Sequence, residues 1–152
     1  MDGFHLSNEE LTRLGRRAWK GAPDTFDIQG FADLLKLIKV GKSDLSFPLF
    51  ERALEASIPN AGSISARAKL ILVEGNYLRL QISGWELLEG LLDESWYLQI
   101  PDSLRLERLI NRHVEFGKSR EQAEAWALGT DEANARLIAA TASRADRIIN
   151  LR

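Results

Sequence analysis

The sequence runs to 152 residues, 45% hydrophobic and 28% charged, with a formal net charge of −2 and no cysteine. That balance fits one ordinary globular domain spanning residues 1–152. It excludes a dedicated nucleic-acid surface, a disulfide framework, a thiolate metal site and a cysteine nucleophile. In chain order, Met1 to Leu6 (MDGFHL) reads as the end of a buried strand running into a substrate loop. Ser7-Asn8-Glu9-Glu10 has the form of a capping box opening a short helix. Gly15 to Asp27 is a loop turning at Gly21-Ala22-Pro23. Asp27 then caps a helix whose apolar face is Ile28, Phe31, Leu34, Leu35 and Ile38, and Gly41 ends it. Residues 44–67 hold Pro48, Pro59 and Gly62 and read as irregular, with room for a short hairpin.

Leu70 to Val73 is an unbroken apolar run, as in a strand buried on both faces of a parallel sheet. A short helix over Trp85–Leu92 and a second buried strand over Trp96–Ile100, closed by Pro101, follow. Asp102 is placed to cap a helix reaching Gly117, and Ser119 with Gln122 forms another capping box, for a helix through Trp126. A helix over about Asp131–Ser143 and a strand over Arg147–Leu151 complete the chain. Strands alternating with helices give an α/β fold with a parallel sheet. No apolar run approaches the roughly 20 residues that span a bilayer. The amino terminus lacks a signal-peptide pattern. A cytoplasmic protein with no membrane and no nucleic-acid partner is therefore expected.

The chemistry-bearing residues fall into a few groups. Asp2 follows the expected strand, where open parallel sheets bind ligands, and its carboxylate could accept the proton of an attacking hydroxyl. A frayed terminal acid is the alternative. Glu74 ends the apolar run, where an acid can hold Mg²⁺ directly or through water, or simply cap a turn with Gly75. Arg105, Arg108 and Arg112 share one helical face. They could clamp phosphate oxygens bidentately, or form a solvated face paired with Glu107 and Glu115. Lys20 lies in a basic loop, Arg16 to Gly21, able to cover a polar or anionic substrate. Asn134 could meet a nucleotide base or serve helix packing.

The ordered series MDGFHL, KGAPDTFD, FPLFERAL, ILVEGNYL, RLINRH and DEANARLI resembles the P-loop small-molecule kinases of the uridine kinase, phosphoribulokinase and pantothenate kinase group. The nucleoside or sugar kinase branch, fructose-transport kinases included, is the most similar. The resemblance implies an ATP- and Mg²⁺-dependent phosphotransferase acting on a hydroxyl of a nucleoside, sugar or pantothenate-like compound. By position it makes Asp2 the catalytic acid, Glu74 a catalytic and metal-side acid, and Arg108 and Arg112 lid arginines. It puts His5, Lys20, Arg52 and Tyr77 on the acceptor side, and Arg105 and Asn134 on the nucleotide side.

No G-x-x-x-x-G-K-[ST] phosphate loop occurs in the sequence. In relatives a strand, that loop, its helix and a second strand, on the order of 50 residues, precede the D-G-F segment, and the loop's backbone amides and lysine form the phosphate cradle. The expectation is a partial P-loop-type sheet lacking that portion, inactive or severely impaired. The family's phosphate-loop strand lies between the D-G-F and E-G-N-Y strands, so its loss exposes edges through which the chain could form a homodimer. The competing reading is a non-catalytic fragment serving as a binding or oligomerisation module.

Overall fold

A computed structural model describes residues 1–151, which form two compact units, Met1–Asp93 and the described residues from Glu94 onward. The fold is α/β: a small parallel sheet in the second unit, helices in both, and an antiparallel hairpin in the first. Among the described residues, no helix is long and apolar enough to cross a membrane.

In the first unit, Ser7 caps α1 (Asn8–Arg13), its hydroxyl accepting from the Glu10 amide at 3.1 Å. The capping box is one-sided, because the Glu10 carboxylate turns to the Arg13 guanidinium instead. Asp27 caps α2 (Ile28–Val40) by accepting from the Gly30 amide. Gly41, at φ 62°, closes the helix in the left-handed conformation that glycine takes without a Cβ clash. Ile28, Phe31, Ala32 and Leu35 are the buried face of α2. They meet Phe26, Tyr77, Leu80, Trp85 and Leu88 in the core. The Phe26 and Trp85 rings meet edge-on at 5.6 Å, and Tyr77 lies 5.4 Å from Trp85. Such pairs add about 0.5–1.5 kcal/mol beyond their buried area. The Gly15–Asp27 loop is held to this core by two donors, Tyr77 Oη to the Gly21 carbonyl at 2.6 Å and Trp85 Nε1 to the Pro23 carbonyl at 2.9 Å.

Residues 44–67 are more regular than their prolines suggest. β1 (Leu45–Glu51) and β2 (Ala56–Ile64) pair antiparallel, with an irregularity between Phe47 and Leu49. Pro48 sits at that point, since proline has no amide for the ladder and is confined to edges and bulges.

Two segments of this unit depart from the expected strands. Met1–Leu6 is a tight 3₁₀ turn over Asp2–Phe4, followed by one antiparallel bridge between His5 and Phe26. The Leu6 amide bonds the Thr25 carbonyl, and the Asp27 amide bonds that of Phe4. Leu70–Val73 joins no strand of the described residues. Leu70 and Leu72 are 76% and 88% exposed, while Ile71 and Val73 are half-buried. An apolar run becomes a doubly buried strand only where neighbours pair with it and helices cover both faces, and here no such neighbour lies alongside.

In the second unit, β3 (Trp96–Gln99) and β4 (Arg147–Asn150) pair in parallel, in the register Trp96↔Arg147 to Gln99↔Asn150. Ser95 anchors the pair, its amide and hydroxyl both donating to the Asp146 carboxylate at 2.7 Å. β3 was expected to be buried, but Trp96 and Leu98 are 60% and 59% exposed. The indole is held at the surface by polar partners: its Nε1 donates to Glu94 at 2.7 Å, and the Arg147 guanidinium lies 6.0 Å from the ring.

The helix α3 (Asp102–Glu115) starts one residue earlier than a cap at Asp102 requires; Pro101 occupies the cap position and no side chain caps it. Proline fits a helix start because the missing amide would have no partner there. Ser119 and Gln122 form both halves of the capping box of α4 (Arg120–Trp126). A five-residue π-helical turn, Ala127–Asp131, leads into α5 (Glu132–Ala139), so the last helix is shorter than the sequence pattern suggests.

Candidate functional site

The site in the first unit is built around the Asp2–Phe4 turn. Gly3 packs against the backbone of β1, where a Cβ would collide with the Pro48 carbonyl oxygen, so glycine is required for the turn to sit beside the hairpin. The Met1 backbone nitrogen donates to the Glu74 carbonyl at 2.8 Å. A cavity of about 380 Å³ opens between these segments. Its walls are mainly apolar, with Phe4, Phe31, Leu35, Ile71 and Val73 among them, and Asp2, Arg52 and Glu74 are its charged lining residues. Three of the expected site residues therefore line one cavity. The Glu74 side chain is 83% exposed. Among the described residues, no group of three or more carboxylate or imidazole side chains is arranged to hold a metal ion.

His5 lies beside this turn, between the Phe26 and Phe50 rings at 4.1 and 5.0 Å. Its Nδ1 is 2.8 Å from the Asp2 carbonyl, which can only accept, so the proton of the neutral ring sits on Nδ1. Burial lowers the His5 pKa below the ordinary imidazole value, against a smaller opposing pull from the Asp2 carbonyl and carboxylate. The unfolded chain therefore takes up a proton more readily than the folded one. Stability is complete above about pH 6.5 and falls as pH drops from there towards the folded-state pKa. Urea unfolding at pH 7.5 and 5.5 should show a loss for the native chain that is reduced in His5→Asn. Equal losses in both chains would mean that other groups set the acid limb.

Lys20 lies under the hairpin tip. Its ammonium donates to Asn8 Oδ1 at 2.8 Å and to the Glu55 carbonyl at 2.5 Å, and sits 4.9 Å from the Phe50 ring centre. Burial, then Arg17, lowers its pKa, opposed by Glu55. Tyr77 is 1% exposed and its hydroxyl is directed at Gly21, so in this arrangement it serves the core rather than facing a ligand. Asn8 escaped the sequence reading except as part of a capping box. No local pattern could reveal it, because its partners lie 12 and 47 residues away.

The second unit holds the remaining candidates. Arg105 is engaged by two carboxylates, Glu132 at 2.6 Å and Asp102 at 3.1 Å, and thereby ties α3 to α5. Arg105, then Arg136, hold the Glu132 carboxyl below its usual range. His113 Nε2 meets the Asp131 carboxylate at 2.7 Å, closing a second link from α3 to the π-helical turn. Arg108 and Arg112 are exposed on α3 and form no ion pair among the described residues, Glu107 and Glu115 included. Asn134 lies within α5, half-buried.

No family model matches the chain. It is 32% identical over 145 residues to the ATP-dependent kinase-like protein notR′ of Aspergillus versicolor, covering 89% of this chain and 84% of that protein. It is also 32% identical over 151 residues to the uncharacterized protein YggC of Escherichia coli K12. That match takes in 99% of this chain but only 62% of YggC, so the chain spans about three-fifths of that relative. A crystal structure from Silicibacter sp. TM1040, described as a fructose transport system kinase, superposes with a TM-score of 0.91 at 38% identity. The superposition covers 98% of this chain and 72% of the other.

Proposed function

The chain belongs to the P-loop small-molecule kinases, and we propose that it supplies the acceptor side and the lid of an ATP-dependent enzyme that phosphorylates a hydroxyl group of a small metabolite. A nucleoside, a sugar and a pantothenate-like compound are the candidate acceptors. The observation that carries this reading is the meeting of Asp2, Arg52 and Glu74 on one cavity. In the proposed reaction the Asp2 carboxylate takes the proton of the acceptor hydroxyl. The hydroxyl oxygen bonds to the γ-phosphorus as the bond to the β-phosphate oxygen breaks, and ADP leaves. Arg108 and Arg112 offset charge on the transferring group.

Mg-ATP would bring the transferable phosphoryl group. Mg²⁺ in such sites is bound mostly by phosphate oxygens and water with one or two carboxylates, and the exposed Glu74 carboxylate suits that minor share. No G-x-x-x-x-G-K-[ST] phosphate loop is present in residues 1–152. We assign that loop to a part of the working enzyme outside these residues. An apolar strand seated against the cavity walls at Phe4, Ile71 and Val73 would account for those walls and for the unpaired, exposed Leu70 and Leu72. Left uncovered, the exposed Leu70 and Leu72 would favour a homodimer.

The test compares residues 1–152 with a chain extended in frame by such a strand and loop. Calorimetry should give no micromolar Mg-ATP binding for the shorter chain and ordinary kinase affinity for the longer. The longer chain should also transfer label from γ-³²P-ATP to a member of the acceptor panel. Binding and transfer absent from both would favour the non-catalytic binding module.

A further inference from the structure

The exposed tip of the hairpin is fixed at one point. Residues 52–55 join β1 to β2 in a tight turn closed by the Glu55 amide donating to the Arg52 carbonyl at 3.2 Å. Glu55 stands at φ 48°, a left-handed conformation that side chains other than glycine and asparagine rarely take. Residues held in such conformations persist when their surroundings over-determine them. Here the surroundings are two donors on one carbonyl: Glu55 O accepts from Lys20 Nζ at 2.5 Å and from Asn8 Nδ2 at 3.2 Å. The Lys20 ammonium also donates to Asn8 Oδ1 at 2.8 Å, so the three groups close a triangle. One corner belongs to α1 and one to the loop that Tyr77 and Trp85 pin to the core. The third is the turn, whose residues 52–55 are all exposed and gain little from packing.

We propose that Asn8 and Lys20 form a latch that fixes the hairpin tip and so positions Arg52 at the cavity it shares with Asp2. Lys20 is then a positioning residue whose hydrogen bonds go to the protein's own Asn8 side chain and Glu55 carbonyl rather than to a substrate. The ammonium is suited to this task. It donates to two oxygens at close range, and its charge lies over the Phe50 ring, 4.9 Å from the centre. Asn8 contributes both an acceptor to Lys20 and a donor to Glu55. The latch stands on the geometry alone. That Arg52 meets an acceptor substrate rests on the kinase reading.

The test uses Asn8→Ala, Lys20→Met and Asn8→Asp in the 152-residue chain. The readouts are steady-state heteronuclear NOEs of amides 53–55 and of the Arg52 Nε–H group, with urea midpoints alongside. The NOEs should fall in Asn8→Ala and Lys20→Met while those of α2 hold. Asn8→Asp, which keeps an oxygen for Lys20, should restore most of the loss. A general loss of stability would lower α2 together with the turn and would overturn the latch. So would NOEs at the turn that stay native in Asn8→Ala, a variant at a half-buried polar position that should fold even where Lys20→Met does not. In the extended, phosphate-transferring chain, Asn8→Ala should raise the acceptor KM about tenfold with a smaller loss in kcat. A loosened turn in a chain that never transfers phosphate would sink the kinase reading and leave the latch standing. Phosphate transfer with an equally rigid turn in Asn8→Ala would do the reverse.

Discussion

Truncating Arg112 to alanine in a phosphate-transferring chain should lower kcat by roughly 10³, with Arg108→Ala close behind and KM changed far less. An arginine brought to a transferring phosphoryl group is worth about 10³–10⁵ in rate in GTPases, and sharing between two residues points to the lower end. The three arginines of α3 carry the same charge but have different freedom. Arg105 is spent on Glu132 and Asp102 and holds α3 to α5. Arg108 and Arg112 project from an exposed face and form no ion pair among the described residues. They are thus available to a ligand that arrives with its own negative charge. A residue acting only in the transition state reduces kcat rather than ground-state binding. Losing either should also leave the melting temperature nearly unchanged, because even paired surface charges contribute only about 0.2–1 kcal/mol. Arg105→Ala should show the opposite pattern, with lower stability from two broken links and a smaller effect on rate. Steady-state kinetics and thermal melts of the three variants separate these roles. Native kinetics in both Arg108→Ala and Arg112→Ala would remove the lid assignment.

How much of this could be read from sequence depended on how far apart the interacting residues lie. Asp27 with Gly30, Ser119 with Gln122, and Gly41 at the end of α2 are contacts within one helical turn, and each was legible. The strand over residues 96–99 and its late partner at 147–150 were also legible as apolar runs, though not as a surface pair. Burial is a property of what lies alongside, and a run such as Leu70–Val73 looks the same with or without neighbours. Pro48 disguised β1, since a proline that breaks a central strand is tolerated at a bulge. In the candidate site, the motif order brought out Asp2, Arg52 and Glu74, and these line one cavity. It could not show that Tyr77 turns inward to Gly21, or that Lys20 is tied to Asn8 and Glu55. Those depend on side-chain directions across loops, which have no periodic signature.

The central claim is that this chain carries the acceptor-activating half of a kinase, and Asp2→Asn tests it most directly. Asp2 begins the turn that Gly3 seats against β1, and it lines the same cavity as Arg52 and Glu74. Asparagine preserves its size and the backbone turn but removes the basic oxygen. Loss of a general base costs about 10²–10⁴ in rate. Nucleotide affinity should be unaltered, because the role concerns the acceptor hydroxyl alone. The measurement is transfer of label from γ-³²P-ATP to the acceptor by the extended chain, native and Asp2→Asn, with Mg-ATP affinity determined for both by calorimetry. The account predicts transfer reduced by at least about a hundredfold at equal ATP affinity. Transfer at the native rate would contradict it and leave Asp2 as a surface acid with no part in the chemistry.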